Sequence, residues 1–190
     1  MPVILHRPKI AEKINCAVGP GEKFIYIDGP IVGAPDFQEH ATQLLEQMVP
    51  ASETLHIANP RWPDIPEHAR LSVHRQNEWE KSHLQKLRAA GACGIALYYA
   101  AAPNPPRAGG HPSVRYHTTS FERFTKIAKV WEPAREPARA VLGIDPSHTV
   151  AGLADHFQTA VKYEVPIVDG LQRACEVAHA LLFPLAQGKV

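Results

Sequence analysis

The chain has 190 residues, 45% of them hydrophobic, which suits the core of one compact domain. A formal net charge of +1 leaves no basic footprint for a nucleic acid polymer or an anionic membrane surface. Cys16, Cys93 and Cys175 lie far apart without a CxxC pair, which argues against a disulfide framework and a zinc ribbon.

The opening Met1-Pro2-Val3-Ile4-Leu5-His6-Arg7 lacks a charged leader followed by a long apolar run. The longest apolar stretch, around Gly94 to Ala102, is less than half of a bilayer span. A soluble cytoplasmic protein with no membrane partner is expected. Residues 1–22 read as an N-terminal extension, either a β extension or an arm on a neighbouring subunit. Its apolar pieces, Val3-Ile4-Leu5 and Ile14 to Val18, would be unpaired if it hung free. The main domain is expected over residues 23–190.

Within that domain, strands and helices alternate. Phe24-Ile25-Tyr26-Ile27 is a β-rich run closed by Asp28-Gly29-Pro30. Asp36 can then cap a helix with Glu39 three residues on, and Phe37, Ala41, Leu44, Leu45 and Met48 share its apolar face. Thr54-Leu55-His56-Ile57-Ala58 predicts the second strand, ended by Asn59-Pro60-Arg61-Trp62-Pro63, and a helix follows from about Gln76 to Ala90, where Gly91 stops it.

Gly94 to Tyr99 predicts the third strand. A connection without pattern runs from Ala100 to Thr118, too long for a mere link in a compact domain and suited to a lid or binding loop. The helix after it carries Phe121, Phe124, Ala128 and Trp131 on one side and ends at Pro133 and Pro137. Ala140-Val141-Leu142-Gly143-Ile144 predicts the fourth strand, and Val150, Leu153, Ala154, Phe157 and Val161 the apolar face of the next helix. The fifth strand, Val165-Pro166-Ile167-Val168, leads to a last helix with Leu171, Ala174, Cys175, Ala178, Leu181 and Leu182 in phase. Five strands alternating with helices predict an α/β fold with a parallel sheet covered on both faces.

Ligands of such sheets bind outside the carboxyl ends of the strands, where the strand order switches. The polar residues that follow the strands gather there: Asp28-Gly29-Pro30, Asn59-Pro60-Arg61, and Tyr98-Tyr99 with the long connection. No GxGxxG or GxxxxGK[ST] segment is present, so neither dinucleotide nor triphosphate cradling is supported.

Ile27-Asp28-Gly29-Pro30 with Asp36-Phe37-Gln38, Asn59-Pro60-Arg61, Gln76-Asn77-Glu78-Trp79-Glu80 and Tyr116-His117-Thr118-Thr119-Ser120-Phe121-Glu122 resemble, in order, the motifs of the nucleoside 2-deoxyribosyltransferase-like family. The likeness runs from about Lys23 to Asp145 and, more weakly, to the end. It departs from the family pattern at Arg123-Phe124, where relatives often carry Leu-Gly, and at Tyr116, where the better-known transferases carry an aspartate. The resemblance implies a flavodoxin-like three-layer sandwich with a five-stranded parallel sheet. It implies an enzyme that breaks or transfers the N-glycosidic bond of a nucleoside or nucleotide without a cofactor, with Glu122 as nucleophile. Asp28 joins Glu122 in the catalytic pair, and Gly29, Pro30, Asp36, Asn59, Arg61, Trp79, Glu80, Tyr99, Tyr116, Thr118 and Ser120 are expected to bind substrate. Family members commonly complete each pocket from a neighbouring subunit, so a homo-oligomer is expected.

The chemistry can be argued from the residues. Breaking the bond from C1′ to a base nitrogen builds positive charge on the sugar, which a carboxylate beneath the ring can stabilise or capture covalently. Glu122 in a first helical turn would face free N–H groups that favour the anion. Each candidate also has a plainer reading. Thr119-Ser120-Phe121-Glu122 fits a T-x-x-E capping box, Asp28-Gly29 a turn and Asp36 a helix cap. Arg61 either binds a phosphate or shields its loop, and Glu80 either reaches the pocket beside Trp79 or is a solvated helix charge. Tyr98 and Tyr99 point to opposite faces of their strand, so only one stays near the mouth; either these or Tyr116 could stack on a base or simply pack. No histidine pair has the i, i+4 spacing of a zinc site, and no metal is expected. Two alternatives stay open: a nucleoside 5′-monophosphate N-glycosidase, with Arg61, Arg115 or Ser120 on the phosphate, and an inactive nucleotide-binding protein on the same fold.

Overall fold

The computed structural model describes residues 3–8, 18–19, 21–31, 34–61, 73–102, 122–130, 139–148 and 153–184, with the backbone alone at 73 and 74. In chain order these form β1 (Val3–His6), β2 (Lys23–Asp28), α1 (Phe37–Met48), β3 (Leu55–Ala58), α2 (Val73–Ala89), β4 (Gly94–Ala100), α3 (residues 122–128), β5 (Ala140–Ile144), α4 (Ala154–Lys162), β6 (Ile167–Asp169) and α5 (Leu171–Leu182). The strands make one parallel sheet in the order β1-β3-β2-β4-β5-β6.

Strands β2 to β6 alone have the flavodoxin-like order, in which the chain winds one way from β2 to β3 and then crosses back to β4. The expected five-stranded sheet is corrected to six by β1, a four-residue edge strand paired in parallel with β3. Polar groups fasten that edge. The Asn59 N–H donates to the His6 carbonyl (2.9 Å), Arg7 pairs with Glu39, and the His6 ring meets His56, which meets Glu22, each at 2.9 Å.

The central strands are buried on both faces, so they read as apolar runs. Phe24 and Tyr26 of β2 point to one side, with Trp79 and Leu87 of α2, Phe124 and Ile127 of α3, and Leu153 and Ala160 in and beside α4. Ile25 and Ile27 point to the other, with Phe37, Ala41 and Leu45 of α1 and Ala174, Cys175 and Ala178 of α5. Two cores separated by one sheet make the three layers.

Asp36 caps α1 as expected, accepting from the Glu39 N–H at 3.1 Å. Three local expectations are corrected. In α4 the buried face is Leu153, His156, Thr159 and Ala160, while Ala154 is exposed and Val161 is 75% exposed. The polar His156 and Thr159 take inner places there, and His156 stacks on Phe124 at a ring separation of 5.7 Å. In α5, Leu181 is exposed. The last strand begins at Ile167, not Val165; Pro166 has no N–H for the ladder, although its carbonyl accepts from the Leu142 N–H at 3.0 Å. Phe121, Trp131 and Val150 lie outside the described residues. Among the described residues, no helix is long and apolar enough to cross a membrane.

Candidate functional site

The switch in strand order falls between β2 and β4, and their carboxyl ends carry Asp28 and Gly29 on one side and Tyr99 to Ala101 on the other. Asp28 is the last residue of β2, buried, with Arg123 of α3 reaching it from the far side of the chain. Arg123 donates from Nε to Asp28 Oδ1 at 2.8 Å, its Nη2 lies 2.7 Å from the same oxygen, and the Gly29 N–H donates to that oxygen at 2.7 Å. Arg123 Nη2 also donates to Glu80 Oε1 of α2 at 3.2 Å. Lys126, one turn along α3, lies 3.8 Å from Glu80 Oε2.

Two acids and two bases therefore meet at one corner, and burial sets their balance. Burial pushes the Asp28 carboxyl up, the Arg123 charge pulls it back, and the nearby Glu80 adds to the rise; the net direction is upward. Burial works against the Arg123 charge, but Asp28 and Glu80 outweigh it, so the guanidinium is held more firmly protonated than usual. Tyr26, on the same face of β2, has its hydroxyl buried without a partner among the described residues. Burial first, and then the charges of Asp28 and Glu80, raise it well above the usual phenol range.

A second group stands beside the first. Arg61, just beyond β3, donates from Nη1 to the Pro35 carbonyl (3.0 Å) and Gln38 Oε1 (2.9 Å), from Nη2 to the Ala34 carbonyl (3.5 Å), and lies 3.4 Å from Asp36 Oδ2. Its fork is spent on strapping the entry of α1, which matches its plainer reading. Asn59 folds its own turn, accepting from the Arg61 N–H at 3.0 Å. The Pro30 carbonyl faces the buried Gln38 amide at 3.5 Å. Gln76 joins the two groups, donating from Nε2 to the Pro60 carbonyl and to Glu80 Oε1, each at 3.2 Å.

Packing engages the expected aromatic residues. Trp79 is buried, stacked on His83 at a ring separation of 3.9 Å and tilted towards Tyr26. Tyr98 and Tyr99 do take opposite faces: Tyr98 packs on Phe124, Tyr99 on Phe37. Burial and then the Asp145 carboxylate push the Tyr99 hydroxyl up to about 12. Asp145, at the end of β5, accepts from Ser147 Oγ (2.6 Å) and the Ser147 N–H (2.9 Å). Glu122 is exposed, next to Arg123. Tyr116, Thr118, Ser120 and the long connection from 103 to 118 lie outside the described residues, as does the rest of the capping box that Glu122 would close.

Sequence reading did not name Arg123, Gln38, Gln76 or Tyr26 as site residues. The polar Gln38 inside an apolar helix face was a signal; for Arg123 the signal was its departure from the family pattern, which does not reveal partners distant in sequence.

His83 shows what this corner demands. Its Nδ1 donates to the Trp79 carbonyl at 2.8 Å and its Nε2 is buried without a partner among the described residues. Burial lowers it from 6.5 to about 4. The unfolded chain thus takes up this proton as pH falls below 6.5, while the folded protein refuses it until 4. Stability from His83 is complete above pH 6.5 and is lost between 6.5 and 4, by about 3 kcal/mol. Urea unfolding across that range should show the loss in the parent and a flatter profile in His83→Phe; parallel profiles would refute the assignment.

No protein-family model matches the sequence, and a search of curated proteins returns no match.

Proposed function

We propose that the protein cleaves or transfers the N-glycosidic bond of a nucleoside or nucleotide, with Glu122 as nucleophile. One observation carries the reading: Arg123 ties the helix bearing Glu122 to the end of β2 at the switch point, beside Asp28 and Glu80. The carboxyl end of the strands at a switch point is where such sheets take ligands, which supports the reading.

In this reading a Glu122 oxygen bonds to C1′ as the C1′–N bond breaks. The electron pair leaves with the base, which takes up a proton. Water or a second base then displaces the glutamate, giving hydrolase or transferase. Both described hydrogen bonds to Asp28 and the Arg123 Nη2 contact fall on Oδ1, and Oδ2 is the atom for a sugar hydroxyl or the base. With Arg61 spent on its loop, a 5′-phosphate would need another cation.

A second reading, nucleotide binding without catalysis, is favoured by the engagement of Asp28 with Arg123. A panel of nucleosides and their 5′-phosphates, screened by thermal shift and then by chromatography for free base, separates the two. Base release from at least one compound is expected. Binding without release favours the second reading, and neither binding nor release refutes both.

A further inference from the structure

We propose that Arg123 is a positioning residue: lodged between the carboxylates of Asp28 and Glu80, it seats α3 on the carboxyl end of β2 and so sets where Glu122 stands. This rests on the reading of Glu122 above and names the residue through which the fold would aim it.

The geometry leaves no other group for the task among the described residues. Among the described residues Arg123 alone touches both carboxylates, at 2.7 and 2.8 Å for Asp28 and 3.2 Å for Glu80. The two carboxylate side chains are only 5% and 9% exposed. Lys126 is half exposed and approaches Glu80 alone, at 3.8 Å. Facing the cluster are the Tyr26 hydroxyl from β2, the Gln76 amide from α2, and Lys126 from α3, with Glu122 next to Arg123 in the chain. Nη2 alone reaches both carboxylates, and Nε, fixed in the same plane, adds a second contact to Asp28; an ammonium keeps the charge and loses this paired grip. With the charge removed as well, buried Asp28 loses its counter-charge beside the Glu80 carboxylate and holds its proton to higher pH.

The test uses Arg123→Lys, Arg123→Met and the double variant Arg123→Met/Glu80→Gln, with the compound that the parent turns over. Arg123→Lys is expected to fold and to lower kcat about a hundredfold with little change in KM, the scale of a nucleophile misplaced by an ångström. In Arg123→Met the acid limb of the kcat/KM profile should move up by about one pH unit or more. Adding Glu80→Gln should return part of that limb, because Arg123 acts on Asp28 more strongly than Glu80 does, without returning kcat. Where Arg123→Met does not fold, Arg123→Lys decides: parental kcat with a parental pH profile overturns the proposal.

A parent that releases no base refutes the reading of Glu122 and leaves the seat open to a direct measurement. Carbon-detected titration of the Asp28 carboxyl and the Glu122 amide resonance then judge it. Displacement of both in Arg123→Lys supports the seat; both unchanged overturns it.

Discussion

Gly29→Ala is expected to lower stability by about 4 kcal/mol, the sum of backbone strain and overpacking. Gly29 has φ of 148°, a region that side chains avoid. A Cβ there would lie 2.6 Å from Phe37 Cζ and closer still to the Tyr99 carbonyl oxygen. Neither neighbour can give way: Phe37 is packed on Tyr99 in the core, and the carbonyl belongs to the main chain at the switch point. Gly170→Ala supplies the control. Its φ of 79° and ψ of 152° lie in a region kept almost wholly to glycine, but a Cβ there would meet nothing within 4 Å, so only backbone strain is penalised, by about 1–3 kcal/mol. Urea unfolding of both variants checks the difference, and equal losses would refute the crowding argument. Because the Gly29 N–H also holds Asp28 Oδ1, a shifted Gly29 should disturb the site as well as the fold.

The sheet was legible because its central strands are buried on both sides. Phe24-Ile25-Tyr26-Ile27 and Gly94 to Tyr99 must be apolar throughout, and little else in the chain has that pattern. The edge was harder. Val3-Ile4-Leu5 is too short to announce a strand, and its pairing depends on β3, some fifty residues away. The inner face of α4 was harder to read because His156 and Thr159 take buried positions on it, while Phe157 packs half-buried against the same core and Val161 is exposed.

At the site, single residues were legible and their bonds were not. Asp28, Glu80 and Arg61 stand out as charges after strands or on a helix, yet what each does depends on a partner fixed by the fold. Arg61 meets the carbonyls of Ala34 and Pro35, which no sequence pattern displays. Arg123 is a charge in a helix with Phe124, Ile127 and Ala128 on its apolar side, and spacing gives it no special role. Its meaning comes from two carboxylates brought together from positions 28 and 80.

Glu122→Gln is expected to abolish base release by several powers of ten while moving unfolding by no more than about 0.5 kcal/mol. The side chain is exposed, so its replacement opens no cavity and buries no new polar group. Glutamine serves as well as glutamate at the fourth place of a T-x-x-E box, so whatever capping Glu122 supplies is largely kept. What glutamine cannot do is attack C1′ as an anion and leave again as a carboxylate. Arg123 keeps its bonds to Asp28 and Glu80 in this variant, so the seat of α3 is unchanged and any loss of rate belongs to the carboxylate. The variant and the parent are compared by urea unfolding and by chromatographic assay on the nucleoside and 5′-phosphate panel. Retained turnover would remove Glu122 from the chemistry and leave it a helix cap; lost turnover with coincident unfolding curves would make the carboxylate the nucleophile.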